Sequence, residues 1–104
     1  MNIATTGDKN AQDIKSHGIL VRVRYAPMKQ PYIEQHVERS ETLATVKARA
    51  MEHFHLSEGP VDGGSKAYSL SIEDVVQTNL SVTVGELAKH QELALFLVEQ
   101  FTQG

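Results

Sequence analysis

The sequence lacks several features that would assign it to a common functional class. It has no cysteine, which excludes disulfides, thiolate nucleophiles and cysteine-ligated zinc and is consistent with a reducing compartment. No apolar run approaches the roughly 20 residues that a membrane helix needs, and the first residues do not show the charged-then-apolar pattern of a secretion signal. We therefore expect a cytoplasmic protein with no membrane partner.

Charge and candidate catalytic groups are equally sparse. The net charge is −3, with acids and bases interspersed, so no basic surface suited to nucleic acid is expected. His53 and His55 are two residues apart, whereas two histidines that bind a metal from one helix are usually four apart. Glu73 and Asp74 are adjacent and predict a solvated turn. We expect no metal, no cofactor and no enzymatic activity.

The chain of 104 residues suits a single domain, and its N-terminal part is polar. Residues 1–17 have few apolar side chains and no sustained period, which predicts a disordered arm. Residues 19–25 alternate, with Ile19, Val21, Val23 and Tyr25 on one face. Residues 32–38 alternate again, with Ile33 and Val37 inward. The prolines between them predict a turn, so the two segments form a hairpin.

The period then becomes helical. Ser40 or Thr42 can cap a helix that runs to about His55, and its apolar face contains Leu43, Val46, Ala50 and Phe54. Residues 57–65 are predicted to be a loop because they are rich in glycine. Residues 66–72 form a strand, Val75 and Val76 a shorter one, and Thr83 caps a brief helical turn. These elements predict the α+β class.

The most apolar run of the sequence comes at its end. Residues 92–99 predict a buried strand, with Leu95 and Leu97 in the core. Strand alternation then sends Phe96 and Val98 outward, and with Met28 from the first turn they would form an apolar patch for a partner. We expect the folded domain to cover residues 18–99 and a flexible tail to cover residues 100–104.

With this order assembled, the chain resembles the ubiquitin-like β-grasp family. Residues 40–49 are similar to the start of the family's helix, residues 83–92 to its late turn, and residues 95–104 to its last strand and tail. The resemblance implies a mixed four- to five-stranded sheet packed on one long helix, with a short late helical turn. The tail differs from the family because it ends in Gln103-Gly104 and has no arginine. These differences fit a divergent, bacterial kind of ubiquitin-like protein.

In modifiers of this family the carboxylate of the final glycine is activated and joined to a target protein. The resemblance therefore implies conjugation through Gly104, with the tail recognised through Gln100, Phe101, Thr102 and Gln103. The implied partners of a monomer are activating and conjugating enzymes, a deconjugating protease and the target. Two alternatives stay open: a binding module with an inert tail, and a sulfur carrier whose glycine becomes a thiocarboxylate.

Overall fold

The computed structural model describes residues 18–104, so the arm predicted over residues 1–17 lies outside the described residues. Within residues 18–104, no helix is both long enough and apolar enough to cross a membrane. The elements, in chain order, are β1 (Ile19–Tyr25), β2 (Tyr32–Val37), α1 (Leu43–Phe54), β3 (Gly59–Val61), β4 (Gly64–Ile72), β5 (Val75–Val76), α2 (Val84–Leu87) and β6 (Glu92–Gln103).

The strands form one mixed sheet. Its order is β2-β1-β6-β4-β3, and β5 pairs with β4. The central strands β1 and β6 are parallel, and the other pairs are antiparallel. The described chain is thus an α+β domain with a six-stranded sheet, one strand more than the sequence predicts.

The additional strand comes from residues predicted to be a loop. β3 and β4 are joined by Asp62 and Gly63 alone, and Val61 pairs with Gly64. Gly63 has a φ of 84°, a conformation that glycine adopts without a steric penalty. The prediction of a loop over residues 57–65 is therefore wrong, because Asp-Gly between two strands is a hairpin connection.

Helix α1 has the predicted cap and the predicted buried face. The Thr42 hydroxyl accepts a hydrogen bond from the backbone N–H of Thr45 at 3.3 Å, and the four predicted apolar residues are the buried ones. His55 ends the helix in the left-handed conformation. With 12 residues, the helix is of average length rather than the long helix expected.

Strand β2 contains an irregularity that the sequence pattern conceals. Ile19 pairs with Val37 but Val21 pairs with Glu34, so two steps along β1 match three along β2. His36 has a φ of 63° at this bulge. The extra residue reverses the alternation: Val37 is buried as predicted, whereas Ile33 is 48% exposed on the other face. The prediction that Ile33 points inward is wrong for this reason.

The core lies between α1 and one face of the sheet. Every inward side chain of β1 is buried, and so are those of the first half of β6. Thr83 and Glu86 form the predicted capping box, which holds α2 just before β6. The fully buried large side chains are Ile19, Leu43, Leu70, Leu95, Val21, Val23, Val46 and Val84.

Candidate functional site

The two faces of β6 have different environments. Leu95 and Leu97 are buried in the core, while Phe96 and Val98 are 47% and 44% exposed on the opposite face of the sheet. The alternation predicted for this strand is confirmed. Phe96 lies in the half of β6 that pairs with both β1 and β4, so its side chain stands between neighbouring strands.

Phe96 is the centre of an exposed cluster, which we call the outer-face patch and define as Phe96, Val98 and Val76. In register, Phe96 has Arg24 on one side and Ser71 on the other, and Ser71 pairs with Val76. Ser71 is only 6% exposed although it lies on this open face, which is consistent with the larger side chains beside it covering it. The patch predicted from the sequence did not include Val76. The signal that could have identified it is its place in a two-residue strand after a tight turn.

Met28 does not belong to this patch. It lines a surface depression of about 260 Å³ together with Lys29, Gln30, His53 and Phe54. Two of these residues belong to α1, so Met28 lies on the helix side of the sheet. The predicted grouping of Met28 with Phe96 and Val98 is wrong because the turn after β1 folds toward the helix.

The tail continues the sheet instead of leaving it. β6 runs to Gln103, and residues 100–103 pair with β4, from Ala67↔Gln100 to Gly64↔Gln103. The N–H of Gly104 donates to the carbonyl of Gly63 at 3.0 Å. The predicted change from domain to flexible tail after Glu99 is therefore absent. The end of β6 forms a projecting ribbon together with β3 and the start of β4, and we call it the terminal ribbon.

The predicted recognition residues lie on both faces of the terminal ribbon. Gln100 and Thr102 share the outer face with Phe96, whereas Phe101 and Gln103 lie on the helix side; all four are exposed. The Phe101 ring lies against Gly64, where an added Cβ would be 2.9 Å from its Cζ. A glycine opposite the tail therefore provides the space that this ring occupies.

Glu99 marks the junction between the core and the terminal ribbon. Its Oε1 accepts hydrogen bonds from the hydroxyls of Tyr68 at 3.3 Å and Tyr25 at 3.5 Å. Burial of the two phenols, aided by interactions with the neighbouring carboxylate, raises the pKa of both Tyr25 and Tyr68 above the usual value. The two hydroxyls thus stay protonated and hold the base of the ribbon.

Glu58 stabilises the other strand of this junction. Its Oε2 accepts the backbone N–H of Tyr68 at 2.7 Å and the Lys47 ammonium at 2.9 Å. The hydrogen bond from Tyr68, followed by that from Lys47, lowers the pKa of Glu58. The Glu58 carboxylate thus replaces a backbone carbonyl as the partner of the Tyr68 N–H, since β3 begins only at Gly59.

His53 and His55 both have structural contacts at the end of α1. His53 packs against Tyr32 with ring centroids 4.9 Å apart, and His55 serves as the helix cap. Among residues 18–104, no cluster of three metal-ligating side chains occurs.

A scan against models of known protein families and a search of curated proteins both give no match for the chain.

Proposed function

We propose that the chain is a ubiquitin-like β-grasp protein and acts as a modifier, conjugated through the carboxylate of Gly104. The proposal takes Gly104 as the carboxyl terminus of the mature protein. The element order supports the fold assignment: a hairpin, a helix across one face, and a last strand parallel to the first at the centre of the sheet.

The observation that carries the functional proposal is the path of β6. One strand anchors the core through Leu95 and Leu97, presents Phe96 and Val98 to solvent, and then leads to Gly104 at the end of the terminal ribbon. An enzyme that grips the outer-face patch would thus hold the body of the protein while the tail extends away from it. Because Arg24 lies beside Phe96, the best complement to the outer-face patch is an apolar partner surface with acidic residues next to it.

The chemistry requires only the carboxylate on this chain. In the activation step, a Gly104 carboxylate oxygen attacks the α-phosphorus of ATP, and pyrophosphate leaves. In the transfer step, a nucleophile attacks the carbonyl carbon, loses its proton and releases AMP; an amine or hydroxyl of the target is the final acceptor. Glycine suits both steps because it has no Cβ to obstruct a narrow channel.

Activation also requires the tail to leave β4. Residues 100–104 are all exposed, so separating this end of the ribbon from β4 opens no core cavity and leaves Glu99 in place. The bonds to be broken are backbone hydrogen bonds that water can replace, each with a net worth of about 1 kcal/mol. An enzyme could therefore take up the tail at moderate cost and without unfolding the domain.

A second candidate function is a binding module that uses the outer-face patch alone. The paired tail favours this alternative, since residues 100–103 are held in the sheet rather than displayed. A sulfur carrier is a third, less favoured candidate, because that role is associated with a Gly-Gly end and here Gln103 precedes Gly104.

ATP–pyrophosphate exchange with adenylating enzymes from the source organism separates these functions. A modifier should support exchange, and deletion of Gly104 should abolish it. Gly104→Ala is the matched control, because its Cβ would lie 3.4 Å from the Gly64 Cα and leave the ribbon in place. A full chain inert with every such enzyme would contradict the proposal. Intact mass identifies a sulfur carrier by a gain equal to the replacement of oxygen by sulfur.

A further inference from the structure

Half of β6 has one open edge. Strand β1 ends at Tyr25, opposite Leu97, while β6 continues to Gln103. Among the described residues, only β4 lies beside residues 98–103. We call the opposite side of this segment the free edge. Its length of six residues is that of a typical complete strand.

The hydrogen-bond pattern shows which groups face the free edge. The N–H of Gly104 points to β4, since it donates to Gly63, and the carbonyl of Thr102 also lies against Gly64. Backbone groups alternate in direction along a strand. The N–H and C=O of Glu99, Phe101 and Gln103 therefore point outward, and the described chain offers them no strand partner.

The free edge has less protection against pairing than the other strand edges. β2 contains the bulge at His36, β3 is three residues long and contains Pro60, and β5 has only two residues. Bulges, proline, lysine and short length are the usual means of blocking an edge. The free edge has none of these and carries a single charge, that of Glu99.

We propose that the free edge pairs with the free edge of a second copy of the chain, antiparallel and about a two-fold axis at Phe101. This register places Phe101 opposite its symmetry mate and Glu99 opposite Gln103. All three outward-facing residues of each copy are then in hydrogen-bonded pairs. A shift that pairs Phe101 with Glu99 leaves Gln103 opposite Leu97, which is already paired with β1. The opposite shift pairs Phe101 with Gln103 and leaves Glu99 with no partner among the described residues.

Charge and shape favour a second copy as the occupant. Each Glu99 faces a neutral glutamine, and the two carboxylate-bearing positions are four residues apart, about 13 Å at the usual strand rise. The partner strand would end near Val98, beside the point where β1 ends. After β1, the first chain turns toward β2 and away from the free edge, so it leaves room for the partner strand. The two folded bodies lie at opposite ends of the joined ribbons.

The interface is small, so the dimer should be weak. The interface consists of six backbone hydrogen bonds and an aromatic pair. Such an interface buries less surface than the roughly 1,200 Å² typical of stable complexes. Association should thus depend on concentration. The proposed dimer is an alternative to the monomer that the resemblance implies, and it is independent of whether Gly104 is ever conjugated.

Sedimentation velocity of the full chain over rising concentration tests the proposal. The wild type should shift from monomer to dimer. Phe101→Lys and Phe101→Glu should each stay monomeric, because the substitution sets like charges against each other across the axis. An equimolar mixture of the two variants should form a heterodimer. Ile33→Lys is the control: it removes an exposed apolar residue from the opposite edge strand and should leave the dimer unchanged.

Circular dichroism establishes that each variant keeps its fold. A wild type that stays monomeric at every concentration would overturn the proposal. This holds even if residues 1–17 or another protein occupies the free edge instead of a second copy. Dimerisation that persists in Phe101→Lys would overturn it too, as would a mixture of the charge variants that fails to associate, since both outcomes exclude an axis at Phe101.

Discussion

Replacing Gly64 with alanine should detach the end of β6 while leaving the core intact. A Cβ at this position would lie 2.0 Å from the carbonyl oxygen of Thr102 and 2.9 Å from Cζ of Phe101. The first contact is with backbone and cannot be relieved by a side-chain rotation. The tail must therefore move away from β4, or β4 must bend away from the tail.

The structure sets the size of this effect. Detachment removes the Gly104 N–H bond to Gly63 and the pairing of Ser65 with Thr102, at a net cost of about 1 kcal/mol for each hydrogen bond. Two or three such bonds amount to about 2–3 kcal/mol of local stability, or roughly 30- to 150-fold in the opening equilibrium. Global stability should change by less than about 1 kcal/mol, because the affected residues lie outside the core.

Amide hydrogen exchange measured by NMR tests the prediction. The Thr102 and Gly104 amides, which face β4, should exchange at nearly unprotected rates in Gly64→Ala, while that of Leu95 should not change. Gly104→Ala adds the same methyl group without the clash and should retain protection at Thr102. Equal protection at Thr102 in Gly64→Ala and the wild type would refute the steric argument, as would a loss of protection that extends to Leu95.

Three further predictions concern stability. Leu95→Ala should lower the free energy of unfolding by about 2–5 kcal/mol in urea titration, because it opens a cavity in the core; a loss below about 1 kcal/mol would contradict the assigned burial. Phe96→Ala should change that free energy by less than about 1 kcal/mol, since the ring is half exposed; a core-sized loss would contradict its outward placement. Glu58→Gln should cost about 1 kcal/mol at neutral pH, allowing for a side chain that is 38% exposed. The pKa of Glu58 is below its usual 4.5 when folded, so its contribution is complete above that value and is lost as the pH falls through the folded pKa. The variant should therefore lose less stability than the wild type in urea titrations between neutral and acidic pH, and an equal loss would contradict the role of Glu58.

Local signals in the sequence were sufficient for the helices and the core strands. Thr42 and Thr83 cap the two helices as predicted because an N-cap needs only a hydroxyl and the N–H groups of the next turn. The burial of Leu95 and Leu97 follows from a long apolar run with alternating faces. These features depend on residues a few positions apart, so one sequence is enough to find them.

The errors occur where structure depends on distant partners. The terminal ribbon has no hydrophobic alternation, because the helix covers neither of its faces, and its pairing is apparent only once Gly64 meets Gln103. Ile33 faces outward because of a bulge set by the pairing of β2 with β1. Met28 lies with α1 because of the direction of a turn, which composition alone does not specify.

The measurement that tests the modifier proposal most directly is mass-spectrometric mapping of Gly104 in cells of the source organism that express the chain with an N-terminal tag. The proposal predicts peptides in which the Gly104 carbonyl is joined to an amine or hydroxyl of another protein, and it predicts their absence after deletion of Gly104. A chain recovered only at its own mass, with a free carboxylate at Gly104, would contradict it.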